Sequence, residues 1–226
     1  MPKRALYEKR PLLLASILAA AAFFYLAAAD IPQIVTVAVK GFAVGLLAVY
    51  AYLRHSGPDA RILVWVMGLC ALGDMVMEFY LILGGLVFFL AHVFSLSLFL
   101  RNRCEVITRS QKIAAVVLLV APMLMGFILP ADRESALQVA LYGLSVGAMA
   151  ASAWVSNFPR YRVGVGAAIF VLSIILLFAE LGPLANSAIP DALIWPSYYL
   201  AQFLICTGVI QTLCKRNPQL RIAASN

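Results

Sequence analysis

Apolar residues occur along the chain in runs of about 18 to 22, separated by short polar breaks. Runs of this length match α-helices that cross a hydrocarbon core of about 30 Å, at a rise of about 1.5 Å per residue. Eight spans are predicted: 12–29, 32–53, 62–81, 83–100, 112–129, 134–156, 163–182 and 192–213. Most breaks contain proline or charged residues, whereas the pair Gly84-Gly85 predicts a tight glycine turn between spans three and four.

The composition and the distribution of basic residues between the two sides of the membrane agree with the predicted spans. The 226 residues are 64% hydrophobic and 12% charged, whereas soluble domains average about 25% charged residues. Fifteen of the 17 basic residues lie before the first span, in alternate loops or after the last span; Arg133 lies opposite and Lys40 lies within a span. The positive-inside rule therefore places both termini in the cytoplasm. We predict one all-α domain over 1–226, inserted as a multi-pass protein in the bacterial inner membrane.

The remaining composition excludes several classes of function. The net charge of +7 serves as an orientation signal, so nucleic acid is not an expected partner. The four cysteines show no CxxC spacing and are interpreted as reduced thiols. Two histidines cannot form a three-histidine zinc site, and no phosphate loop, GxSxG or HExxH motif is present. No metal and no cofactor are predicted.

Polar residues inside the predicted spans lie at similar depths. Those about 7 to 10 residues from the non-cytoplasmic end are Lys40, Asp74, His92, Tyr142, Ser173 and Tyr199. Gln202 lies slightly deeper, while Glu78 and Glu180 lie nearer the surface. Intramembrane ionisable groups are costly and are functional candidates. The pattern predicts a shared polar cavity that opens outward.

Each polar residue also has a structural interpretation. Lys40 could pair with Asp74, neutralising both, or extend its ammonium toward the interface. Asp74 and Glu78 share a helix face one turn apart, so that repulsion and burial favour one protonated carboxyl, as a general acid requires. His92 and the tyrosines can equally serve as interhelical hydrogen-bond partners.

Several segments resemble the YhhN family of membrane proteins, which includes the lysoplasmalogenases. They are Lys40-Gly41, Leu72–Glu78, Gly84–His92, Tyr142–Ala153, Gly166–Ser173 and Tyr198–Gln202. The resemblance follows nearly the whole chain in order. It implies eight transmembrane helices and hydrolysis of the vinyl ether bond of lysoplasmalogens to a fatty aldehyde and glycerophosphoethanolamine or glycerophosphocholine.

One departure from the family pattern bears on the activity. The family's seventh helix normally reads Ser-Asp, and the aspartates of its Gly-Asp and Ser-Asp motifs form the expected catalytic pair. Here Ile174 follows Ser173, so that only Asp74 carries over. Glu78 is the better substitute for the missing carboxylate, because Glu180 lies on another face of its helix. The dipeptides Gly73-Asp74 and Ser173-Ile174 also suggest a four-plus-four internal repeat.

The resulting hypothesis is a lysoplasmalogenase-like hydrolase acting on a lysophospholipid or related amphiphilic lipid. Catalysis is assigned to Asp74 with Glu78 or His92. Substrate binding is assigned to Lys40, Tyr142, Ser173, Tyr198, Tyr199 and Gln202. The alternative is a lipid-binding or transport protein that retains the cavity without hydrolysis, including a proton-coupled carrier; the oligomeric state is not predicted.

Overall fold

The apolar runs fold into α-helices in the described part of the chain, residues 10–26, 29 and 31–222 of a computed structural model. The helices are α1 (Arg10–Leu26), α2 (Gln33–Tyr52), α3 (Pro58–Met77), α4 (Leu81–Arg101), α5 (Arg109–Ile128), α6 (Ala136–Trp154), α7 (Val165–Glu180) and α8 (Ala188–Arg216). A π-helical turn, Arg160–Gly164, leads into α7, and a 3-10 turn, Pro218–Leu220, follows α8. These described residues contain no strand, which confirms the predicted all-α class.

Seven of the described helices, α2 to α8, are long and apolar enough to cross a membrane when the π-helical turn is counted with α7. Helix α1 is apolar but has 17 residues, about 26 Å of helix against a hydrocarbon core of about 30 Å. The chain is therefore a multi-pass helical membrane protein. The eighth span, the cytoplasmic termini, the internal repeat and the single domain over 1–226 stay predictions.

The chain divides into two compact units. The first contains the described residues up to Ser95 and those from Cys206 onward, and the second contains Leu96–Ile205. Helices α4 and α8 therefore contribute to both units. In the first unit, α2 packs between α1 and α3. The buried hydroxyl of Ser16 donates a hydrogen bond of 2.6 Å to the Ala43 carbonyl. This bond joins α1 to α2 and gives the Ser16 hydroxyl a partner inside the protein.

The connection between α3 and α4 differs from the prediction. Helix α3 ends at Met77 and α4 begins at Leu81, so that Gly84 and Gly85 lie inside α4 and form no turn. The predicted glycine turn is therefore wrong. A Cβ on Gly84 would lie 2.6 Å from the Met77 Cα. The absence of a side chain at this position serves close helix packing, and the chain reverses at residues 78–80 instead.

The second unit is built around the close packing of α5 against α6. Gly143 and Gly147 of α6 face backbone carbonyls of α5, those of Pro122 and Leu119, with no room for a Cβ. From the other side, a Cβ on Gly126 of α5 would lie 2.8 Å from the Val139 carbonyl oxygen. Small residues at such positions let two helix backbones approach, which is how helices associate where lipid offers no hydrophobic driving force.

Replacing Gly147 with alanine is expected to lower the free energy of unfolding by about 1–3 kcal/mol, because the Leu119 carbonyl is held within α5 and cannot move aside. Denaturant unfolding of the purified protein in detergent measures the change. Gly68→Ala is the matched control, since a Cβ there meets nothing within 4 Å. If both variants were equally stable, the close packing of α5 and α6 would be contradicted.

The loop between α2 and α3 is joined to the segment that follows α8. The Ser56 amide donates to the Leu220 carbonyl at 2.9 Å, and the Ile222 amide donates to the Arg54 carbonyl at 3.3 Å. His55 is buried between the two segments, and its Nδ1 accepts a hydrogen bond of 3.0 Å from the Gly57 amide. With Nδ1 as acceptor, the neutral ring carries its proton on Nε2, which has no hydrogen-bond partner among the described residues, although the carbonyls of Leu213 and Asn217 lie near the ring.

Stability is expected to fall as the pH drops below the ordinary titration range of histidine. Burial lowers the pKa of His55, despite opposing contributions from those two carbonyls and Asp59. The unfolded chain therefore binds a proton more readily than the folded chain, so that the stabilisation is complete above about pH 6.5 and is lost as the pH falls toward the lowered pKa.

Unfolding of the purified protein between pH 5 and pH 8 tests this dependence. His55→Asn retains a hydrogen-bond acceptor near the Gly57 amide and does not titrate, so its stability should vary less with pH than that of the parent protein. An unchanged pH dependence in this variant would show that His55 is not the group responsible.

Helix α8 begins four residues earlier than predicted, at Ala188 and not at residue 192. The Ser187 hydroxyl accepts a hydrogen bond of 3.2 Å from the Ile189 amide and so caps the first turn. Pro190 lies within this first turn, where a proline is tolerated because the amide it lacks has no partner in the helix. The segment that was expected to form a longer loop therefore extends α8.

Candidate active site

Lys40 and Glu78 form an ion pair in the first unit. The Lys40 Nζ lies 2.5 Å from the Glu78 Oε1, and both side chains are partly exposed, at 16% and 32%. Glu78 is the C-terminal cap of α3, and Lys40 stands seven residues after Gln33, where α2 begins. The sequence analysis named Asp74 as the possible partner of Lys40, and the ion pair with Glu78 was not predicted.

Two contacts from neighbouring elements position the ion pair. The ring of Phe23 in α1 lies 5.3 Å from the Lys40 Nζ, in a cation–π arrangement. The side-chain amide of Gln33 donates to the Glu78 carbonyl at 3.3 Å and so holds the end of α3. Beside Lys40, Gly41 is in close contact with the Met75 side chain, which brings α2 and α3 together at this level.

Asp74 lies one helical turn below Glu78 on α3. Its exposed fraction is only 4%, so the carboxyl is buried while the ion pair above it remains accessible. The preceding residue, Gly73, packs against the ring of Phe88 in α4, where a Cβ would lie 2.9 Å from the ring. Asp74 is therefore held in a closely packed part of α3, one turn below the partly exposed Lys40–Glu78 ion pair.

His92 is also buried, with 3% exposure, and its ring stacks on that of Phe88 at 6.5 Å. The contacts of Gly84 with Met77 and of Gly73 with Phe88 define the register of α3 and α4. This register places His92 about five residues, or about 7.5 Å, deeper than Asp74. Side chains lean toward the N-terminus of their helix, and for this antiparallel pair that direction brings the two side chains closer.

The remaining predicted residues lie in the second unit. Tyr198, Tyr199, Gln202 and Ser173 are all buried, at 9% exposure or less. Tyr142 of α6 is half-buried and makes an edge-to-face contact with Phe178 of α7, with ring centroids 6.3 Å apart. The Ser173 hydroxyl has no hydrogen-bond partner among the described residues. The structure thus buries these polar side chains on α7 and α8, as expected for residues that face other helices.

Aromatic residues that were not predicted accompany this second group. Trp195 stacks with Tyr199 at 6.2 Å and lies 5.7 Å from Tyr198, whose ring is 5.6 Å from that of Phe170. Trp195 comes three and four residues before the two tyrosines, which is the spacing of neighbours on one helix face. That spacing could have identified Trp195 from the sequence. Phe23 and Gln33 could not have been found in this way, because each makes its contact with a residue of another helix.

Ile174 is buried at 6% exposure next to Ser173 on α7, where the family pattern expects its second aspartate. The described residues contain no group of three or more histidine, cysteine, aspartate or glutamate side chains that could hold a metal ion. All four cysteines are free thiols, and Cys70, Cys206 and Cys214 are buried. The predicted site residues carry carboxyl, imidazole, hydroxyl, amide and ammonium groups.

Apolar helices that are long enough to cross a membrane define a multi-pass helical membrane protein, and polar side chains are buried among these helices. A scan against protein families matches the YhhN family over residues 35–209, more than half of the chain. The chain belongs to the YhhN family. Comparisons with curated proteins and with solved structures gave no match.

Proposed function

We propose that this protein hydrolyses the vinyl ether bond of lysoplasmalogens, releasing a fatty aldehyde and a glycerophospho-alcohol. The observation that carries the proposal is the buried carboxyl of Asp74, in the Gly-Asp motif, one turn below the accessible Lys40–Glu78 pair. A carboxyl enclosed by protein can act as a general acid and base toward a substrate that enters the site. Membership of the YhhN family supports the substrate class.

The reaction follows from acid catalysis of a vinyl ether. Asp74 donates a proton to the vinyl carbon that does not bear the oxygen, which generates an oxocarbenium ion. The Asp74 carboxylate stabilises this cation and accepts a proton from the attacking water. The hemiacetal that forms then collapses to the aldehyde and the free hydroxyl of the glycerol. The reaction consumes one water, and Asp74 returns to its acid form.

His92 is assigned as the proton partner of Asp74 in preference to Glu78. The Glu78 carboxylate is already engaged by the ammonium of Lys40 in an ion pair. His92 is buried, and the register of α3 and α4 together with side-chain direction supports its approach to Asp74. The substrate-binding roles of Tyr142, Ser173, Tyr198, Tyr199 and Gln202 stay predictions.

A lysophospholipid suits the first unit chemically. Its phosphate is anionic and can meet the partly exposed ammonium of Lys40, while its hydrocarbon chain is compatible with the apolar helices. Eight spans, cytoplasmic termini and a location in the bacterial inner membrane form part of this proposal. The sidedness of the basic residues supports the orientation.

A lipid-class hydrolysis screen tests the proposal. The purified protein in detergent is incubated with alkenyl, alkyl and acyl lysophospholipids, and the products are identified by mass spectrometry. We expect fatty aldehyde from the alkenyl substrate alone, since protonation of the alkyl ether yields no stabilised cation. Release of fatty acid from the acyl lipid, without aldehyde, would replace this proposal with esterase activity.

A lipid-binding or transport function is the second candidate. Ile174 favours it, because an apolar side chain is buried where the family pattern has a carboxylate, and losing one catalytic group can cost orders of magnitude in rate. Such a protein would bind or move lysolipid without forming product. Failure to form aldehyde while binding the alkenyl lipid would favour this function over hydrolysis.

A further inference from the structure

The Lys40–Glu78 ion pair has the accessibility of a binding site and not of a buried structural contact. The Lys40 side chain is 16% exposed and that of Glu78 is 32% exposed, whereas Asp74 directly below is buried. Neither side chain is fully enclosed by the described residues, so a ligand can reach the charged atoms. Another anion can therefore replace the Glu78 carboxylate on Lys40.

The surroundings keep Lys40 in place when its partner changes. Phe23 lies against the ammonium at 5.3 Å, and the contact of Gly41 with Met75 holds α2 close to α3. The backbone at Glu78 is held separately, through the hydrogen bond from Gln33 to its carbonyl. The Glu78 side chain can therefore rotate away without displacing α3. A lysine ammonium is a compact charge with three rotatable donors, which can donate to a carboxylate or to a phosphate oxygen.

We propose that Glu78 is a displaceable internal counter-ion, whose place on Lys40 is taken by the phosphate of a lysophospholipid headgroup. Glu78 is then a specificity-determining residue. It occupies Lys40 in the absence of ligand, so that only a ligand with a strong anion in the correct position gains access to the ammonium. The inference rests on the proposed function only in taking the ligand to be a lysophospholipid.

This competition makes a quantitative prediction for Glu78→Gln. If the carboxylate occupies Lys40 about nine-tenths of the time, removing its charge should tighten the binding of the anionic ligand about tenfold. Lys40→Met should weaken binding by a similar factor, and Lys40→Arg should retain most of it. Because Glu78 acts through Lys40, the double variant with Lys40→Met and Glu78→Gln should bind no more tightly than Lys40→Met alone.

Binding is measured with a 1-O-alkyl lysophosphatidylcholine, which is not hydrolysed, by calorimetry or native mass spectrometry of the detergent-purified full chain. Glu134→Gln, the same change at an exposed loop residue, is the matched control. A 1-O-alkylglycerol, which lacks the phosphate, should bind the parent and Glu78→Gln proteins equally. Inorganic phosphate should not displace the lipid at equal concentration, because it lacks the hydrocarbon chain.

The outcomes separate this inference from the proposed hydrolysis. Tighter binding by Glu78→Gln supports the counter-ion role even when no variant forms aldehyde, because the ligand cannot react. Unchanged or weaker binding by Glu78→Gln overturns it, even when the parent protein hydrolyses lysoplasmalogen. Displacement of the lipid by an equal concentration of inorganic phosphate would overturn the assignment to a lipid headgroup. Should Lys40→Met fail to fold, Glu78→Gln alone decides the question.

Discussion

Asp74→Asn is expected to reduce aldehyde release from lysoplasmalogen by about 10²- to 10⁴-fold, the usual contribution of a positioned general acid and base. Asparagine occupies nearly the same volume but cannot donate a proton to the vinyl carbon or accept one from water. The initial rate of aldehyde formation, followed by mass spectrometry at saturating substrate, measures the loss.

If Asp74 is the catalytic acid, the Asp74→Asn protein should still bind lysolipid. Asp74→Asn should bind the non-hydrolysable alkyl lysolipid with little change, because the proposed phosphate contact is made by Lys40, above Asp74. Asp191→Asn, at an exposed position in the first turn of α8, provides the same chemical change outside the site. An Asp74→Asn protein that is folded, binds lipid and releases aldehyde at the parent rate would exclude Asp74 as the catalytic acid.

Ile174→Asp is expected to raise aldehyde release, on the order of 10²-fold if a second carboxylate limits the rate of the parent protein. The substitution restores the Ser-Asp sequence that the family has in its seventh helix. A carboxyl at this buried position also carries a desolvation cost, so the variant should be less stable than the parent. Activity and the unfolding midpoint are therefore measured on the same preparation.

Ile174→Asn separates the two effects of this change. Asparagine is about the same size as aspartate but cannot ionise, so Ile174→Asn should destabilise the protein without raising the rate of aldehyde release. If Ile174→Asp remained folded and bound lipid but formed no more aldehyde than Ile174→Asn, a missing carboxylate would not explain low activity. The lipid-binding function would then be favoured.

Helix positions were largely predictable because they depend on local properties. All eight predicted spans contain a helix, since a run of apolar residues in the absence of water must satisfy its backbone hydrogen bonds internally. The ends of the helices were less predictable. The local sequence at Gly84 predicts a turn, yet Gly84 lies inside α4, where Met77 of α3 packs against it. Nothing local distinguishes a glycine that turns from a glycine that permits packing.

The candidate site shows the same division. The burial of Asp74 and His92 follows from their positions within apolar runs, and both were identified from the sequence. The pairing of Lys40 with Glu78 was not predicted, because the sequence analysis named Asp74, which lies on the same face of α3, as the possible partner. The choice depends on how far α3 extends and on its register against α2, which the contact between Gly41 and Met75 defines.

The sequence alone therefore determined the all-α membrane class, the approximate helices, the YhhN resemblance and the set of polar residues within the spans. Each of these depends on composition, on spacing along one helix or on a motif in the sequence. Only the tertiary structure decided that Lys40 pairs with Glu78 and that Asp74 lies buried beneath them. These contacts join residues 38 or more positions apart or depend on helix packing, which spacing along a single helix does not specify.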